Sequence, residues 1–212
     1  PEAMELIKKA KNDGQEIYLE TCPHYLFCTE ADMLKQGPFA KCNPPLRPPA
    51  MVEKLWDYIE DGSVDIIGSD HAPFLLEEKE RGYDNIFASP SGFPGIQMRL
   101  PLMLDAVNKG RLTLARMIEL LAENPARIFG LYPWKGTIQV GSDADLIIVD
   151  LDKKFTVNRD MLFTKARDIA RIYEGKTLQG MPLCTINRGQ IVMEDMQIRG
   201  KKGWGELIKP NK

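Results

Sequence analysis

The sequence lacks any long apolar run. No stretch approaches the roughly 20 residues that a helix needs to cross a bilayer. The opening residues Pro1–Glu5 are polar and acidic, unlike those of a signal peptide. These absences predict a protein with no membrane partner.

A strong charge of one sign is also missing. The chain carries 28 basic and 30 acidic residues, for a net charge of -2 at pH 7. The two signs are interleaved, so nothing predicts a nucleic-acid partner, and the short basic patch Arg199–Lys202 is expected to be solvated. With 43% hydrophobic and 27% charged residues among 212, the composition is typical of a globular protein. The length suits one large domain, or one domain and part of another.

Cysteine is scarce. The four cysteines show no CxxC spacing and none of the density of a disulfide-rich domain. They are expected to be reduced thiols, which predicts a cytoplasmic protein. Cys22, His24, Cys28 and Cys42 include the ligand types of zinc, but their irregular spacing does not favour a site.

Helix and strand signals alternate in the first part of the chain. Apolar residues at helical spacing predict a helix over 2–11, and a strand is predicted over 16–21. A long proline-rich connection then leads to a helix over 51–60 and a strand over 64–68. This order predicts parallel strands joined by a crossover helix, with both carboxyl ends at the same face.

The pattern changes in the last third. The elements predicted there are helices over 96–108 and 114–123, a short helix from Pro125, a strand over 146–149 and a hairpin over 184–193. Between the helices and the strands, Gly136–Asp145 is rich in turn residues. We therefore predict a domain boundary near 131–136, which gives domains over 1–132 and 133–212.

One motif stands at the end of a predicted strand. Gly68–Pro73 (GSDHAP) directly follows the run Val64–Ile67. A buried parallel strand that ends at Asp70 would present a carboxylate at its carboxyl end, where α/β barrels place their chemistry. Asp70 and His71 are therefore candidates for a metal ligand, a proton carrier or both. From these residues alone, a capping aspartate and a packed histidine remain the alternative.

Six motifs follow one another along the chain. They are Glu20–Leu26 (ETCPHYL), Lys41–Arg47 (KCNPPLR), Gly68–Pro73 (GSDHAP), Ser91–Gly95 (SGFPG), Asn124–Arg127 (NPAR) and Gly141–Leu146 (GSDADL). In this order they resemble the cyclic amidohydrolases, which include hydantoinases or dihydropyrimidinases, allantoinases and dihydroorotases. The resemblance extends over about residues 1–200.

The resemblance implies an α/β fold, namely the C-terminal portion of a (β/α)8 TIM barrel with part of a small β-sandwich. Residues 16–21 and 64–68 would be the seventh and eighth barrel strands. It also implies a binuclear zinc centre, with other divalent metals as an alternative, bridged by a carboxylated lysine and a hydroxide. Most of the ligands would precede Pro1, so the chain is expected to be the C-terminal part of a longer homo-oligomeric protein, a dimer or tetramer.

The same resemblance implies the chemistry. A metal-bound hydroxide would attack the carbonyl of a small cyclic amide, with Asp70 as the metal ligand that takes up the proton and returns it to the departing nitrogen. His71 is expected to support the centre without binding the metal, and His24 to be a packed loop histidine. Because one carboxylate is too few to hold zinc, the isolated chain is expected to be inactive and to bind none.

Four further residues would contact the substrate. Asn43, Ser91 and Gly92 match positions whose amide or main-chain groups hold the ring in the family. Phe74 stands where dihydroorotases carry a histidine for the substrate carboxylate, and a lost charged hydrogen bond costs about 1.5–3 kcal/mol. Hydantoin, allantoin or a dihydropyrimidine is therefore predicted ahead of dihydroorotate, although Asn43 favours a dihydroorotase. A dihydroorotase and a non-catalytic dihydropyrimidinase-like scaffold are the alternatives.

Overall fold

A computed structural model describes residues 2–210. It divides into two compact units. The first unit comprises the residues up to Met103 together with Thr156–Leu178, and the second comprises Leu104–Phe155 together with the residues from Gln179 onward. The boundary predicted at 132/133 stays a prediction. Over residues 2–210, no helix has both the length and the apolar character needed to span a bilayer.

The first unit is built mainly of helices and turns. Its elements are, in chain order, α1 (Glu2–Asn12), β1 (Glu20–Thr21), α2 (Pro23–Phe27), α3 (Glu30–Gln36), α4 (Pro49–Glu60), β2 (Ile66–Ile67), α5 (Leu76–Glu80) and α6 (Arg99–Asn108), whose residues are divided between the two units. Short 3-10 turns cover Gly37–Ala40, Arg81–Tyr83, Ile86–Ala88, Ile96–Met98, Arg159–Met161 and Arg167–Ile169.

Strands β1 and β2 pair in parallel, as predicted. The register places Glu20 opposite Ile66 and Thr21 opposite Ile67. Both strands are shorter than expected. At their start a side chain replaces a main-chain acceptor, because Asp65 Oδ2 accepts a hydrogen bond from Leu19 N at 2.6 Å. The segments that follow the two strands therefore leave the sheet side by side.

Helix α4 fixes the segment that follows β1. Its side chains Val52, Trp56 and Ile59 are buried, which supplies the hydrophobic driving force for its packing. Trp56 Nε1 donates to Leu26 O at 3.0 Å, and the Trp56 ring meets Phe27 edge to face at 5.5 Å. These contacts hold α2 against α4.

Helices α2 and α3 lie in the segment that the sequence predicts as a long connection, so that prediction was wrong, and α5 lies where the sequence predicts no helix. They contain only five to seven residues, which is too short for an apolar periodicity to show. Each helix still has a local signal at its start. Pro23 stands in the first turn of α2. In α3, Asp32 Oδ2 accepts a hydrogen bond from Thr29 N at 2.8 Å to form a capping box, and in α5 Glu78 Oε2 accepts one from Leu75 N at 2.7 Å.

The second unit contains one continuous helical segment where two helices are predicted. Helix α7 (Leu114–Ile118) leads through a π-helical turn over Glu119–Glu123 into α8 (Asn124–Ile128). A break was expected because Pro125 has no N–H to donate. The π turn places Pro125 in the first turn of α8, where an N–H is not needed.

The second unit also holds most of a four-stranded sheet. Its strands are β3 (Leu146–Thr156), β4 (Thr177–Asn187), β5 (Gln190–Glu194) and β6 (Gln197–Ile198), in the order β3-β4-β5-β6. The hairpin of β4 and β5 confirms the prediction: Arg188 and Gly189 have φ values of 47° and 77°, as a type I′ turn requires.

A charge network ties the turn-rich segment before β3 to this hairpin. Lys135 Nζ pairs with Asp143 at 2.8 Å and also with Asp145. Asp145 Oδ1 accepts hydrogen bonds from Asn187 Nδ2 at 3.0 Å and from Arg188 N at 2.7 Å. Although burial alone would raise it, the hydrogen bonds from Lys135 and Arg188 hold the pKa of Asp145 below its ordinary value.

Candidate functional site

Asp70 lies shortly beyond the carboxyl end of β2. Its φ of 45° falls in the left-handed region, which aspartate tolerates better than most side chains. The side chain is 47% exposed. Its carboxylate accepts no hydrogen bond from any residue in the range 2–210. The site thus presents an unpaired carboxylate on a conformationally restricted backbone.

His24 faces Asp70 from the segment after β1. It is 1% exposed, and its Nε2 lies 3.8 Å from Asp70 Oδ2, which is beyond hydrogen-bond distance. Nε2 has no hydrogen-bond partner within the described residues. Burial lowers the pKa of His24 to about 4, so the imidazole is neutral near pH 7. The rings of Tyr25 and Phe93 hold it, at 4.1 and 5.2 Å between centroids.

Two buried thiols lie close enough to Asp70 to sense its charge. Burial, with the Asp70 charge as a smaller cause, raises the pKa of Cys22 to about 12. Burial likewise raises the pKa of Cys42 to about 11. Both groups are therefore neutral thiols near pH 7.

The ligand types for a metal do not assemble into a set within this chain's described residues. No group of three or more His, Cys, Asp or Glu side chains in 2–210 is arranged to hold an ion. Asp70 by itself fits a carboxylate ligand, because its oxygens are exposed and unpaired. A complete centre would therefore combine Asp70 with ligands other than these residues.

His71 is bonded to the loop around Gly95. Its Nδ1 accepts hydrogen bonds from Gly95 N at 3.1 Å and from Ile96 N at 3.4 Å. Its main chain forms a parallel bridge with Phe93. His71 thus fastens the segment 93–96 beside the GSDHAP motif. Its supporting role at a metal centre stays a prediction.

Gly92 lies against the same motif, with Ser91 next to it in the chain. Gly92 has φ 111°, and a Cβ there would lie 2.6 Å from the Cβ of Ala72, so the close approach requires glycine. Gly92 N donates to Lys41 O at 2.8 Å. Ser91 is half-buried and makes no hydrogen bond with any residue in 2–210. The fold therefore brings two of the predicted substrate residues to the segment that carries Asp70.

Phe74 and Asn43 lie in different surroundings. Phe74 is half-buried, and a Cβ on Gly92 would lie 3.7 Å from its ring. Asn43 is exposed and precedes Pro44 across a cis peptide bond. Substrate contact by either residue stays a prediction. Phe74 also packs against an apolar cluster of Phe39, Ala166 and Ile169.

Lys79 is a residue that sequence reasoning misses. Its side chain is 0% exposed, and Nζ donates to Pro90 O at 2.9 Å and to Gly92 O at 3.0 Å. Burial, with a smaller contribution from the charge of Lys41, lowers the pKa of Lys79 to about 8. The local sequence LEEKE is typical of a solvated helix face, so no signal in it indicates this burial.

Lys41 holds the same loop from its other end. Its Nζ donates to Ile86 O at 2.8 Å and also to Ser89 O. Together with the bond from Gly92 N to Lys41 O, these contacts fix the loop on both sides of Pro90.

The sequence is similar to enzymes that act on different rings. It matches the Amidohydrolase family over residues 3–192. It is 39% identical over 211 residues to an L-hydantoinase of Paenarthrobacter aurescens, covering 98% of this chain and 45% of the relative. A dihydroorotase of Methanosarcina mazei is 41% identical over 215 residues (98% of this chain, 46% of the relative). An allantoinase of Solibacter usitatus is 39% identical over 203 residues (95% and 43%).

Comparison with solved structures identifies the same group of proteins. The structure matches an L-hydantoinase (dihydropyrimidinase) from Arthrobacter aurescens with a TM-score of 0.90 at 39% identity, over 97% of this chain and 46% of that one. This match confirms the predicted α/β fold class. The chain spans about half the length of the curated relatives that it matches. On the family match over residues 3–192 and the identity to these relatives, the chain belongs to the amidohydrolase family.

Proposed function

We propose that this chain supplies the proton-transferring aspartate and part of the substrate pocket of a metal-dependent cyclic amidohydrolase. The reaction is hydrolysis of the C–N bond of a hydantoin, allantoin or dihydropyrimidine ring. The observation that carries the proposal is the unpaired, exposed carboxylate of Asp70 at the end of a parallel strand, within a chain similar to hydantoinases, allantoinases and dihydroorotases.

Asp70 is the residue of this chain that would hold the metal. The proposed centre is binuclear, with zinc as the predicted metal, and its remaining ligands are not among the described residues. When bound, such a centre lowers the pKa of water and polarises the amide carbonyl. We place β1 and β2 as neighbouring strands of a (β/α)8 barrel, because their carboxyl ends lie at one face.

The proton chemistry follows from the position of Asp70. Its free carboxylate oxygen accepts a proton from the attacking water and returns it to the ring nitrogen as the C–N bond breaks. The neutral His24 ring lies 3.8 Å away, so a shift of under 1 Å would give Asp70 a hydrogen bond from Nε2 that orients the carboxylate. His24 is therefore assigned to positioning Asp70.

The substrate ring is held by main-chain groups. Ser91 has a free main-chain N–H and C=O for this, Gly92 lies against Ala72 of the GSDHAP motif and allows close approach, and Asn43 is exposed on a neighbouring loop. Phe74 has an apolar ring with no hydrogen-bonding group, which suits a ring without a carboxylate substituent. Hydantoin-type rings are therefore ranked ahead of dihydroorotate.

Dihydroorotase activity is the second candidate. Asn43 and the 41% identity to the Methanosarcina mazei dihydroorotase favour it. A homo-oligomeric state and a cytoplasmic location complete the proposal.

Kinetics of the full-length gene product that contains this chain test the function. It is assayed on hydantoin, allantoin, dihydrouracil and dihydroorotate, together with Asp70→Asn. We expect ring opening by the unsubstituted protein and a loss of about 10²–10⁴-fold in kcat for the variant, the usual contribution of a general acid–base. Asp13→Asn, which removes an exposed carboxylate paired with Lys9, is the control and should change nothing. Turnover retained by Asp70→Asn would contradict the assignment.

A further inference from the structure

Lys79 is a buried cation without an acidic partner. Fully buried lysines are rare unless paired, yet its side chain is 0% exposed and forms no ion pair with any acidic group in 2–210. Its two hydrogen bonds go to main-chain carbonyls, Pro90 O at 2.9 Å and Gly92 O at 3.0 Å. The buried ammonium of Lys79 therefore holds the loop that carries these two carbonyls.

The two carbonyls flank a single residue, Ser91. Pro90 has no N–H, and its carbonyl is occupied by Lys79. Gly92 donates its N–H to Lys41 O at 2.8 Å and accepts from Lys79 through its carbonyl. The main-chain hydrogen-bonding groups of Pro90 and Gly92 are thus already bonded within the protein.

Ser91 itself is left with free groups. Its N–H and C=O form no hydrogen bond with any residue in the described part of the chain, although the residue is half-buried. Main-chain groups in such positions are normally paired. The free N–H of Ser91 can donate to the C=O of a ring amide, and its free C=O can accept from the ring N–H.

We propose that Lys79 is a positioning residue that holds the peptide groups on both sides of Ser91, so that the Ser91 N–H and C=O are presented to the amide edge of the substrate ring. This inference rests on the proposed function and adds a residue that lies outside the six motifs of this sequence. Lys79 does not touch the substrate, and it acts through the backbone of 90–92.

A split between KM and kcat tests the inference in the full-length gene product. Lys79→Met keeps the length of the side chain and removes its donors. Because ring binding at Ser91 is the same in the ground state and the transition state, we expect KM to rise about 10-fold while kcat stays within about threefold. Lys79→Arg keeps the donors and should restore much of the KM. If Lys79→Met is not recovered folded, Lys79→Gln is measured, and a smaller rise in KM is expected because its shorter side chain keeps an N–H donor.

A matched control separates positioning from stability. Lys11 Nζ also donates to a main-chain carbonyl, Ser63 O at 3.0 Å, and to Asp65, away from the loop. Lys11→Met should lower the Tm and leave KM unchanged. An unchanged KM in the Lys79 variants, with ring opening intact in the unsubstituted protein, would overturn this inference alone. Absence of ring opening in the unsubstituted protein would overturn the proposed function and the inference together.

Discussion

At the residue scale, three side chains of the first unit have unusual polar environments. The Asp70 carboxylate accepts no hydrogen bond, His24 Nε2 is an orphan, and Lys79 is buried without an acid, each within residues 2–210. A buried polar atom without a hydrogen bond, such as His24 Nε2, is rare in folded proteins, and so is a fully buried lysine without an acid. Where local rules are broken together, a functional site is the usual reason.

Replacing His24 should separate stability from activity. In His24→Leu the orphan Nε2 disappears, which is worth about 1–3 kcal/mol, whereas the lost ring contacts cost about 0.5–1.5 kcal/mol. The first effect is larger, so we expect a Tm equal to or above that of the unsubstituted protein in thermal unfolding. The full-length enzyme should nevertheless lose about 10-fold in kcat, because the carboxylate is no longer oriented. A lower Tm with unchanged kcat would make His24 a packing residue only.

The lowered pKa of Lys79 predicts that the stability of the folded protein rises with pH. Its pKa is lowered by burial to about 8 in the folded protein, against 10.5 for the ordinary group. Between these values the unfolded chain binds the extra proton, so the free energy of unfolding increases as pH rises through that window. Below about 8 both states are protonated and the full cost of burial is present. Besides burial, the groups that act on Lys79 are the Lys41 ammonium, which lowers its pKa, and Cys42, which raises it when ionised.

The comparison with Lys79→Met isolates this effect from other titrations. The difference in unfolding free energy between the two proteins should shift in favour of the unsubstituted protein by up to about 3 kcal/mol between pH 8 and 10.5, measured by urea denaturation. A difference that is flat across that range would show that the Lys79 pKa is not lowered.

The sequence reveals some of these residues and hides others. Asp70 is found because an apolar run precedes it and because its motif stands among family motifs. The pairing of β1 with β2 brings His24 close to Asp70. The residues around His24 in the sequence do not predict this proximity. The burial of Lys79 cannot be inferred from the charged residues around it in the sequence. Its hydrogen-bond partners Pro90 and Gly92 lie on another loop.

At the scale of elements, long signals are predictable and short ones are not. The parallel pair and the β4–β5 hairpin follow from apolar runs and from the turn residues Arg188 and Gly189. Helices α2, α3 and α5 are too short to show periodicity and depend on tertiary contacts such as the bond from Trp56 to Leu26. The π turn at Glu119–Glu123 likewise has no recognisable pattern in the residues that form it.

The charge network before β3 should contribute to the stability of the second unit. Asp145→Asn removes an acceptor for Asn187 and Arg188 and a partner of Lys135, which should cost about 1–3 kcal/mol. Because its folded pKa is lowered, this contribution is present above the ordinary pKa and is lost as pH falls through the folded value. Asp143→Asn removes only one half-exposed ion pair and should cost under about 1 kcal/mol. Equal Tm losses for the two variants would contradict the network.

At the scale of the whole molecule, the described residues supply one site carboxylate and part of a pocket. The chain covers 43–46% of the length of its relatives, and the sheet of its first unit contains two strands. A two-stranded sheet by itself is marginally stable. The catalytic centre is accordingly proposed for the full-length protein and not for the 212-residue chain.

Metal analysis of the 212-residue chain tests whether its own residues are enough to complete a metal site. Zinc sites in enzymes usually take three protein ligands, and residues 2–210 offer no such group. We expect the isolated chain, dialysed after exposure to zinc, to hold far less than one ion by mass spectrometry, and the full-length product to hold its full complement. One or two tightly held ions in the isolated chain would show that its own residues complete a site.

The most direct test is a crystal structure of the full-length gene product with its metal, located by anomalous scattering. The central claim is that the free carboxylate of Asp70 faces a metal ion. We predict an Asp70 carboxylate oxygen at about 2.0–2.2 Å from the ion. An Asp70 side chain that points away from the metal, with the coordination completed by other residues, would contradict the claim.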